Sequence, residues 1–346
     1  MKKLSIILPQ YNEDEETCFG CLNMLDSQIF CTWSDYEVII VNDCSKVKLS
    51  PKFLKQFKNI KPHYISTEKN SGPGIARQVG LDAAKGEFVT FIDIDDIWFN
   101  NCVLMIFETQ IYPRQKNMLM TKWLEASKMP GGPFGFIEHG QDFTWMFGKF
   151  FKRSFLKNAN IRHHEELRVH EDSYFNRIAA LHCADTDMEY FDFTTYVWRI
   201  SEDSITRNND GVYALNSLAT YIRAVDLVLD RALIVKKDVV PQMAIEQLVY
   251  WYYGIHNKEW QAERANEWKP QTENMLSYFI IKWSEYLDTI EPDRLLMIHR
   301  GMIQQSSSIP KETYDDWYNR LKSLDIKDLP DYTQPDTTIF KLGNVD

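Results

Sequence analysis

Short apolar runs alternate with helical patterns over roughly the first 95 residues, and this alternation is what most constrains the fold. The runs cover residues 4–8, 36–41 and 88–92, with a fourth in the segment HYISTEK. Runs of this length that are rich in Leu, Ile and Val are typical of strands buried on both faces. The order β-α-β-α-β-α-β therefore predicts an α/β fold with a Rossmann-like, mostly parallel sheet and helices on both faces.

Polar residues follow each of the four predicted strands. In chain order they are Pro9, Gln10 and Tyr11; Asn42 and Asp43; Glu68, Lys69 and Asn70; and Asp93, Asp95 and Asp96. In parallel sheets of this kind, ligands bind outside the carboxyl ends of the strands. The sequence therefore predicts a binding site at this edge of the sheet.

The pair Asp93 and Asp95 ends the fourth run. Residues i and i+2 of a strand point to the same side, so the two carboxylates are expected to converge. Two close carboxylates suit Mg²⁺ or Mn²⁺ that is shared with a phosphate. The alternative is a group of acids that caps a helix, because the segment DDIWFNNCVLMIFE also has a helical pattern.

A glycine-rich turn, with glycines at 72 and 74, opens a predicted helix that contains Arg77. A helix N-terminus after such a turn can hold an anion, and an arginine in its first turns can reach a phosphate as a fork. The segment lacks the lysine of a phosphate-binding P-loop and the spacing of a dinucleotide-binding turn. The alternative is a tight turn beside a surface arginine.

Three further acids are candidates for chemistry. Asp43, after the second strand, could accept a hydrogen bond from a ribose hydroxyl or a base N–H, or it could form an Asx turn. Glu171 and Asp172 begin a helical pattern, where acids are common because they favour the helix dipole. A carboxylate there could also act as general base toward an incoming hydroxyl.

Six short motifs occur in one order along the chain. They are PxYNE from residue 9, VNDxS from 41, KNxGxGxARxxG from 69, FIDxDD from 91, FKRSFL from 151 and EDxxFN from 171. In this order and spacing the chain resembles glycosyltransferase family 2, whose members use nucleotide sugars and have the GT-A fold. The resemblance covers about residues 3 to 207.

The resemblance implies a nucleotide-binding set. Its members are Pro9, Tyr11, Glu13, Asp43, Asn70, Arg77 and Asp93. The Tyr11 ring would lie against the base, Asp43 would accept a hydrogen bond from a uracil-like base, and Arg77 would lie near the base or diphosphate. The family commonly has Asp-Asp-Gly-Ser where this chain has Asn42, Asp43, Cys44 and Ser45. This departure bears on which nucleotide is bound.

The resemblance also implies an inverting, metal-dependent mechanism. Asp95 would be the direct ligand of Mn²⁺ or Mg²⁺, with Asp93 nearer the ribose and diphosphate. Asp172 would be the general base, supported by Glu171. The segment 198–207 would close the domain near the diphosphate. The donor implied is a UDP-sugar, and the acceptor is a hydroxyl of a saccharide, a teichoic acid or a lipid-linked oligosaccharide.

Aromatic residues crowd the segment 130–151, where the family places its acceptor site. His139 and Trp145 are our acceptor candidates, because sugars stack on aromatic faces; the alternative is ordinary core packing. His163, His164 and His170 form a local group that could bind a metal, although loop histidines are more often hydrogen-bonded or solvated.

Helical spacing dominates after residue 211. We therefore predict a GT-A domain over residues 1–210 and a helical region over 211–346. Residues 1–100 would be the nucleotide-sugar half of the domain and residues 101–210 the acceptor half. The helical region would end in a loosely ordered tail. It could cover the acceptor site or form a homo-oligomer interface.

Charge and cysteine content bear on the partners and the compartment. The net charge of −10 disfavours a nucleic-acid partner, since phosphate contacts need a basic face. Two basic stretches, YPRQKNMLMTK and GKFFKR, keep open an enzyme that glycosylates modified bases of viral DNA. A nucleotide-sugar binding module without catalysis is the third alternative.

We interpret the six cysteines, including the pair Cys18 and Cys21, as reduced thiols. No run reaches the about 18 apolar residues that a membrane-spanning helix needs. The expected location is the cytoplasm, and the alternative is peripheral association with the inner face of the membrane.

Overall fold

The computed structural model describes residues 2–128, 134–200, 217–256, 268–304 and 310–332. The chain divides into two compact units, residues 1–201 and 202–346. The domain boundary predicted after residue 210 lies outside the described residues, as do residues 201–207 of the predicted closing segment.

The first unit begins with the predicted alternation. Its elements are β1 (Lys2–Gln10), α1 (Glu15–Asp26), β2 (Tyr36–Asn42), α2 (Pro51–Lys55), β3 (His63–Ser66), α3 (Pro73–Ala83) and β4 (Gly86–Phe91). It continues with β5 (Ile97–Trp98), α4 (Val103–Ile106), β6 (Met118–Lys128), β7 (Phe134–His139), β8 (Lys149–Lys152), α5 (Arg153–Asn158), α6 (Glu171–His182) and β9 (Met188–Arg199). Short 3-10 turns occupy Trp33–Asp35, Tyr112–Arg114 and Asp185–Asp187, and a π-helical turn occupies Phe107–Ile111.

The strand order is β3-β2-β1-β4-β8-β6-β9-β5, with β7 paired to β6. The first four strands are parallel, as the alternation predicts. The later part is mixed, because β8 runs antiparallel to both β4 and β6 while β9 runs parallel to β6. The sheet is therefore mixed, where a mostly parallel one was predicted.

Helices cover both faces of β1. Leu4, Ile6 and Leu8 belong to the core cluster that includes residues of α1. On the other face, Ile7 packs so closely against Gly80 of α3 that a Cβ on Gly80 would lie 2.3 Å from Ile7 Cγ2. The sheet is thus buried on both sides where the site is built, and its strand ends are held rigidly.

Two local predictions need correction. β1 extends beyond the predicted run of residues 4–8 and includes Pro9, which lies opposite Val41. Gln10 O accepts the Asp43 N–H, so Gln10 faces β2 and the preceding Pro9 faces β4. The missing N–H of Pro9 is tolerated there, because the pairing of β1 with β4 has ended at Ile7. The helical alternative for DDIWFNNCVLMIFE holds only for its second part, because Ile97 and Trp98 form β5 and pair with β9, and a helix begins only at Val103.

The second unit is helical, as predicted. Its elements are α7 (Leu218–Val235), α8 (Val240–Gly254), α9 (Lys269–Leu287), α10 (Pro292–Ile303) and α11 (Tyr314–Lys322), with a 3-10 turn at Lys237–Val239. Asp226 is fully buried and accepts hydrogen bonds from Arg223 at 2.7 Å and Trp283 at 2.9 Å. A third contact joins Asp226 to Lys282 at 2.7 Å. Together the three partners offset the free-energy cost of burying a charged carboxylate.

Among the described helices, none is both long and apolar enough to cross a membrane. All six cysteines are free thiols, and Cys18 and Cys21 are buried in the core around α1, in agreement with the packing interpretation.

Candidate active site

Arg77 of α3 is the centre of the site. Gly72 has a φ of +89°, a conformation open to glycine, and Pro73 follows it at the first position of the helix. The Arg77 side chain is buried. Its Nη2 lies 2.6 Å from Asp93 Oδ1, and its Nη1 lies 2.7 Å from Asp172 Oδ1 and 2.9 Å from Glu171 Oε1. One cation thus gathers acids from β4 and α6.

Burial works against the charge of Arg77, yet Asp172, Asp93 and Glu171 together raise its pKa above the ordinary value. The guanidinium is therefore permanently charged. Its predicted contact with a base or diphosphate stays a prediction, since both of its terminal nitrogens are engaged by carboxylates.

The three acids after β4 have three different environments. Asp96 is buried and accepts from Tyr196 Oη at 2.6 Å and from the Arg199 N–H at 2.8 Å, so it ties β9 to the end of β4. Asp93 is held by Arg77. Asp95 is exposed, and its carboxylate makes no ion pair among the described residues, while its backbone carbonyl accepts from Arg199.

Excess negative charge collects around Asp95. Although Asp95 is exposed, the protein around it disfavours the charged form, and with the repulsion of Asp93 this raises its pKa to about 6. Burial, together with Asp95 and Asp93, raises the pKa of Glu13 to about 7. The described residues contain no group of three or more metal-ligating side chains. A cation here would take one or two carboxylates and complete its coordination with phosphate oxygens and water, as Mg²⁺ usually does. The donor set fits such an ion.

Glu171 and Asp172 occupy the first turn of α6, which starts after His170 at a φ of 58°. Burial and the neighbouring Asp172 raise the pKa of Glu171 to about 8. Burial also raises the pKa of Asp172, but Arg77 and the backbone of Met146 oppose this shift. Arg77 therefore favours the charged form of both carboxylates, while burial disfavours it.

Part of the predicted nucleotide pocket is accessible in the structure. Tyr11 is 39% exposed, so its ring is free to stack on a base. Pro9 is half-buried at the end of β1, and the Asn70 carbonyl accepts from Arg168 at 3.2 Å.

Asp43 is buried and holds the loop before α3. Its carboxylate accepts from Thr67 Oγ1 at 3.0 Å, from the Ser71 N–H at 3.0 Å and from the Gly72 N–H at 2.7 Å. These contacts favour a loop-holding role for Asp43, and its contact with a base stays a prediction.

The two acceptor candidates lie in one aromatic group. The His139 ring stacks on Trp123 with centroids 3.9 Å apart, and its Nε2 lies 3.3 Å from Glu125. Trp145 is partly buried, lies parallel to Phe147 and is 6.4 Å from Trp123. Both rings are therefore packed against the core cluster rather than isolated on the surface.

The histidine group does not converge. His163 is buried and stacks on Phe175 at 4.4 Å, and burial lowers its pKa well below the ordinary value, while His164 lies against Tyr174. Within the described ranges no metal-binding group includes these histidines or His170.

Sequence reasoning missed three residues that shape the site, Tyr196, Asp142 and Lys149, whereas Arg199 lies in the predicted closing segment 198–207. Tyr196 and Arg199 of β9 hold Asp96 and the Asp95 carbonyl. Asp142 and Lys149 hold the connection that contains Trp145. No local pattern marks them, because their partners lie elsewhere in the chain.

Comparison with solved structures defines the class. The chain is similar to the crystal structure of residues 1–349 of Staphylococcus aureus TarS, with a TM-score of 0.64 and 20% identity, over 93% of this chain and 91% of that chain. TarS 1–349 in complex with UDP-GlcNAc gives a TM-score of 0.64 at 21% identity, over 88% and 92% of the two chains. The first unit thus has the GT-A fold of glycosyltransferases.

Comparison of sequences gives a match to one family over part of the chain. Residues 5–122 match the family model described as Glycosyl transferase family 2. TarS, named as a poly(ribitol-phosphate) beta-N-acetylglucosaminyltransferase, is 30% identical over 193 residues, which cover 52% of this chain and 33% of TarS. YibD, an uncharacterised glycosyltransferase of Escherichia coli, is 34% identical over 126 residues, which cover 36% of this chain and 31% of YibD. The chain spans about a third of the length of these relatives. Residues 5–122, about a third of this chain, are therefore similar to glycosyltransferase family 2.

Proposed function

We propose that this protein is an inverting, metal-dependent glycosyltransferase. It transfers a sugar from a UDP-sugar to a hydroxyl of a saccharide, teichoic-acid or lipid-linked acceptor. The observation that carries the proposal is the difference between two acids of the site. The Asp172 carboxylate is held in place by Arg77, while the Asp95 carboxylate is exposed and makes no ion pair among the described residues.

The donor and acceptor classes rest on the relatives. TarS has been crystallised with UDP-GlcNAc, and its name gives poly(ribitol-phosphate) as its substrate. A poly(ribitol-phosphate) beta-glucosyltransferase of Bacillus spizizenii is 28% identical over 193 residues, which cover 52% of this chain and 30% of that protein. We therefore propose UDP-GlcNAc and UDP-glucose as the first donors to test, and polyol-phosphate polymers as the first acceptors.

A divalent cation fits the residues that the site leaves free. Asp95, with Asp93 beside it, would hold Mn²⁺ or Mg²⁺, and the donor diphosphate would supply further oxygens. Bound there, the ion would act as a Lewis acid that offsets charge on the leaving diphosphate. A mannosyltransferase of Pyrobaculum calidifontis crystallised with GDP-mannose and Mn²⁺ has a similar fold, with a TM-score of 0.50 over 94% of this chain and 86% of that chain.

The protein groups support a single displacement. Asp172 accepts the proton of the acceptor hydroxyl, and the hydroxyl oxygen bonds to the anomeric carbon on the face opposite the diphosphate. The bond from that carbon to the diphosphate oxygen breaks, and the electron pair leaves with the diphosphate. Since one base suffices and no covalent nucleophile is needed, the configuration at the anomeric carbon is inverted.

A panel of nucleotide sugars tests the proposal. The full chain is incubated with Mn²⁺ and UDP-GlcNAc, UDP-glucose or GDP-mannose, with and without poly(ribitol phosphate), and the released nucleotide is measured. We expect one donor to be turned over, and Asp172→Asn to lower the rate about 100-fold or more while UDP still binds.

The matched control is Asp82→Asn, which removes a surface carboxylate of α3 that pairs with Arg162. It should behave as the wild type does. A wild type that turns over no donor, or an Asp172→Asn variant as active as the wild type, contradicts the proposal.

A further inference from the structure

The connection between β7 and β8, residues 140–148, has no regular secondary structure, yet its backbone is held in place. Asp142 Oδ1 accepts the N–H groups of Thr144 and Trp145, both at 2.8 Å. Its other carboxylate oxygen accepts from Trp123 Nε1 of β6 at 3.0 Å. Asp142 therefore closes the connection on itself and attaches it to the sheet.

Lys149, the first residue of β8, holds the same connection from inside. Its side chain is 2% exposed, and its Nζ donates to Trp145 O at 2.6 Å and to Phe147 O at 3.4 Å. Asp142 Oδ2 lies 3.6 Å from the same nitrogen. A buried ammonium is costly unless it is paired and hydrogen-bonded. These three partners of the ammonium all belong to the connection.

The connection also contacts α6, the helix that begins with the proposed base. Asn176, one turn after Asp172, donates from Nδ2 to Trp145 O at 2.8 Å. The backbone of Met146 also acts on the Asp172 carboxylate, and it lowers the pKa of Asp172. Lys149 and Asn176 thus share the carbonyl of Trp145, and the next N–H along the chain reaches Asp172.

Peptide geometry links these contacts. The carbonyl of Trp145 and the N–H of Met146 belong to one planar trans peptide, so they point in opposite directions. When Lys149 and Asn176 hold the carbonyl on one side, the N–H must face the other side, toward Asp172. Loss of the ammonium would leave the Trp145 carbonyl held by Asn176 alone. The direction of the Met146 N–H relative to Asp172 would then be less fixed.

We propose that Lys149 and Asp142 are positioning residues that orient the Trp145–Met146 peptide and thereby aim the carboxylate of Asp172. The inference rests on the proposed function of Asp172 as general base. It assigns a task to a buried lysine that strand packing alone does not require. It also explains why Trp145, an acceptor candidate, lies on an irregular segment and yet has a fixed position.

The test compares substitutions on one strand of the full chain. Lys149→Met keeps length and volume but removes the charge, and Lys149→Arg keeps the charge. Lys152→Met is the matched control, because Lys152 lies three residues along β8 with its Nζ on Gln115. Three quantities are measured: the hydrolysis of UDP-GlcNAc with Mn²⁺, the Kd of UDP by calorimetry, and the ¹³C-methyl resonance of Met146, assigned with Met146→Leu.

We expect Lys149→Met to slow hydrolysis about 10-fold to 100-fold, to leave the Kd of UDP within about twofold, since the nucleotide residues lie on other loops, and to shift the Met146 resonance. Lys149→Arg should restore part of the rate, and Lys152→Met should match the wild type. Asp142→Asn is a milder change and should lower the rate and shift the Met146 resonance by smaller amounts. It replaces Lys149→Met in the test if that variant does not fold.

Two results overturn the inference: a Lys149→Met variant with the wild-type rate and an unmoved Met146 resonance, or a rate that falls only in proportion to lost UDP binding. Failure of the proposed function looks different, because the wild type itself would then neither bind UDP nor hydrolyse the donor. In that case the Met146 resonance still decides whether Lys149 holds the peptide.

Discussion

The guanidinium of Arg77 lies 2.7 Å from the carboxylate of Asp172, although 95 residues separate the two in the chain. The same guanidinium contacts Asp93 and Glu171, so it joins the strand end proposed to bind the donor diphosphate to the helix proposed to supply the base. The two halves of the proposed reaction therefore share one buried cation.

Removing that cation should destabilise the first unit. Arg77→Met leaves three carboxylates without their counter-charge, and breaking a buried pair from one side costs about 3 to 5 kcal/mol. We expect a loss of this size in the free energy of unfolding, measured by urea denaturation. Arg162→Met, which breaks the exposed pair with Asp82, should cost about 0 to 1 kcal/mol. Equal losses in the two variants would contradict the central position of Arg77.

The neighbouring acids Asp95 and Asp96 should respond oppositely to the same substitution. Asp95→Asn should leave stability unchanged or raise it slightly, since the folded protein disfavours the charge of Asp95. It should abolish the increase in Tm that Mn²⁺ adds in the presence of UDP. Asp96→Asn should lower the free energy of unfolding by about 1 to 3 kcal/mol, since Asp96 is buried and accepts from Tyr196 and Arg199. Thermal denaturation with and without Mn²⁺ measures both, and a Mn²⁺ effect that survives in Asp95→Asn contradicts the assignment.

Glu13 should make the protein less stable as the pH rises. Its pKa in the folded protein is about 7 against an ordinary 4.5, so the folded state binds the proton more tightly than the unfolded state does. The free energy of unfolding should fall as the pH rises from about 4.5 to about 7. Glu13→Gln should flatten the curve in this window by about 1 to 3 kcal/mol, since one pKa unit is worth about 1.4 kcal/mol. Urea denaturation across the pH range measures this, and parallel curves for the two proteins would refute it.

Gly80 should not tolerate a side chain. A Cβ there would lie 2.3 Å from Ile7 Cγ2 and 3.2 Å from Val41 Cγ2, so Gly80→Ala should cost about 1 to 3 kcal/mol by overpacking α3 against the sheet. Gly254→Ala, at the end of α8, meets nothing within 4 Å and should gain up to about 1 kcal/mol. Chemical denaturation of both variants measures the difference. A Gly80→Ala variant as stable as the wild type would show that the helix can shift.

Local patterns in the chain were enough to predict the first half of the fold. The four parallel strands of residues 2–91, the helices between them and the polar strand ends follow from apolar runs and turn residues that lie close together in sequence. The six short motifs indicated the family whose model matches residues 5–122 for the same reason, since each motif is confined to a short stretch of chain. The mixed part of the sheet was not predicted, because its order depends on pairing between strands far apart in the chain, such as β6 with β9.

Only the folded arrangement decided what each acid contacts. Asp93, Asp95 and Asp96 are alike in the sequence, and they differ because Arg77, open solvent and Tyr196 happen to lie beside them. The same holds for Lys149, whose partners become its neighbours only when residues 140–148 fold back onto β8. The physical reason is that the environment which sets a charge, a hydrogen bond or a pKa is built from residues distant in the chain, and no local pattern encodes it.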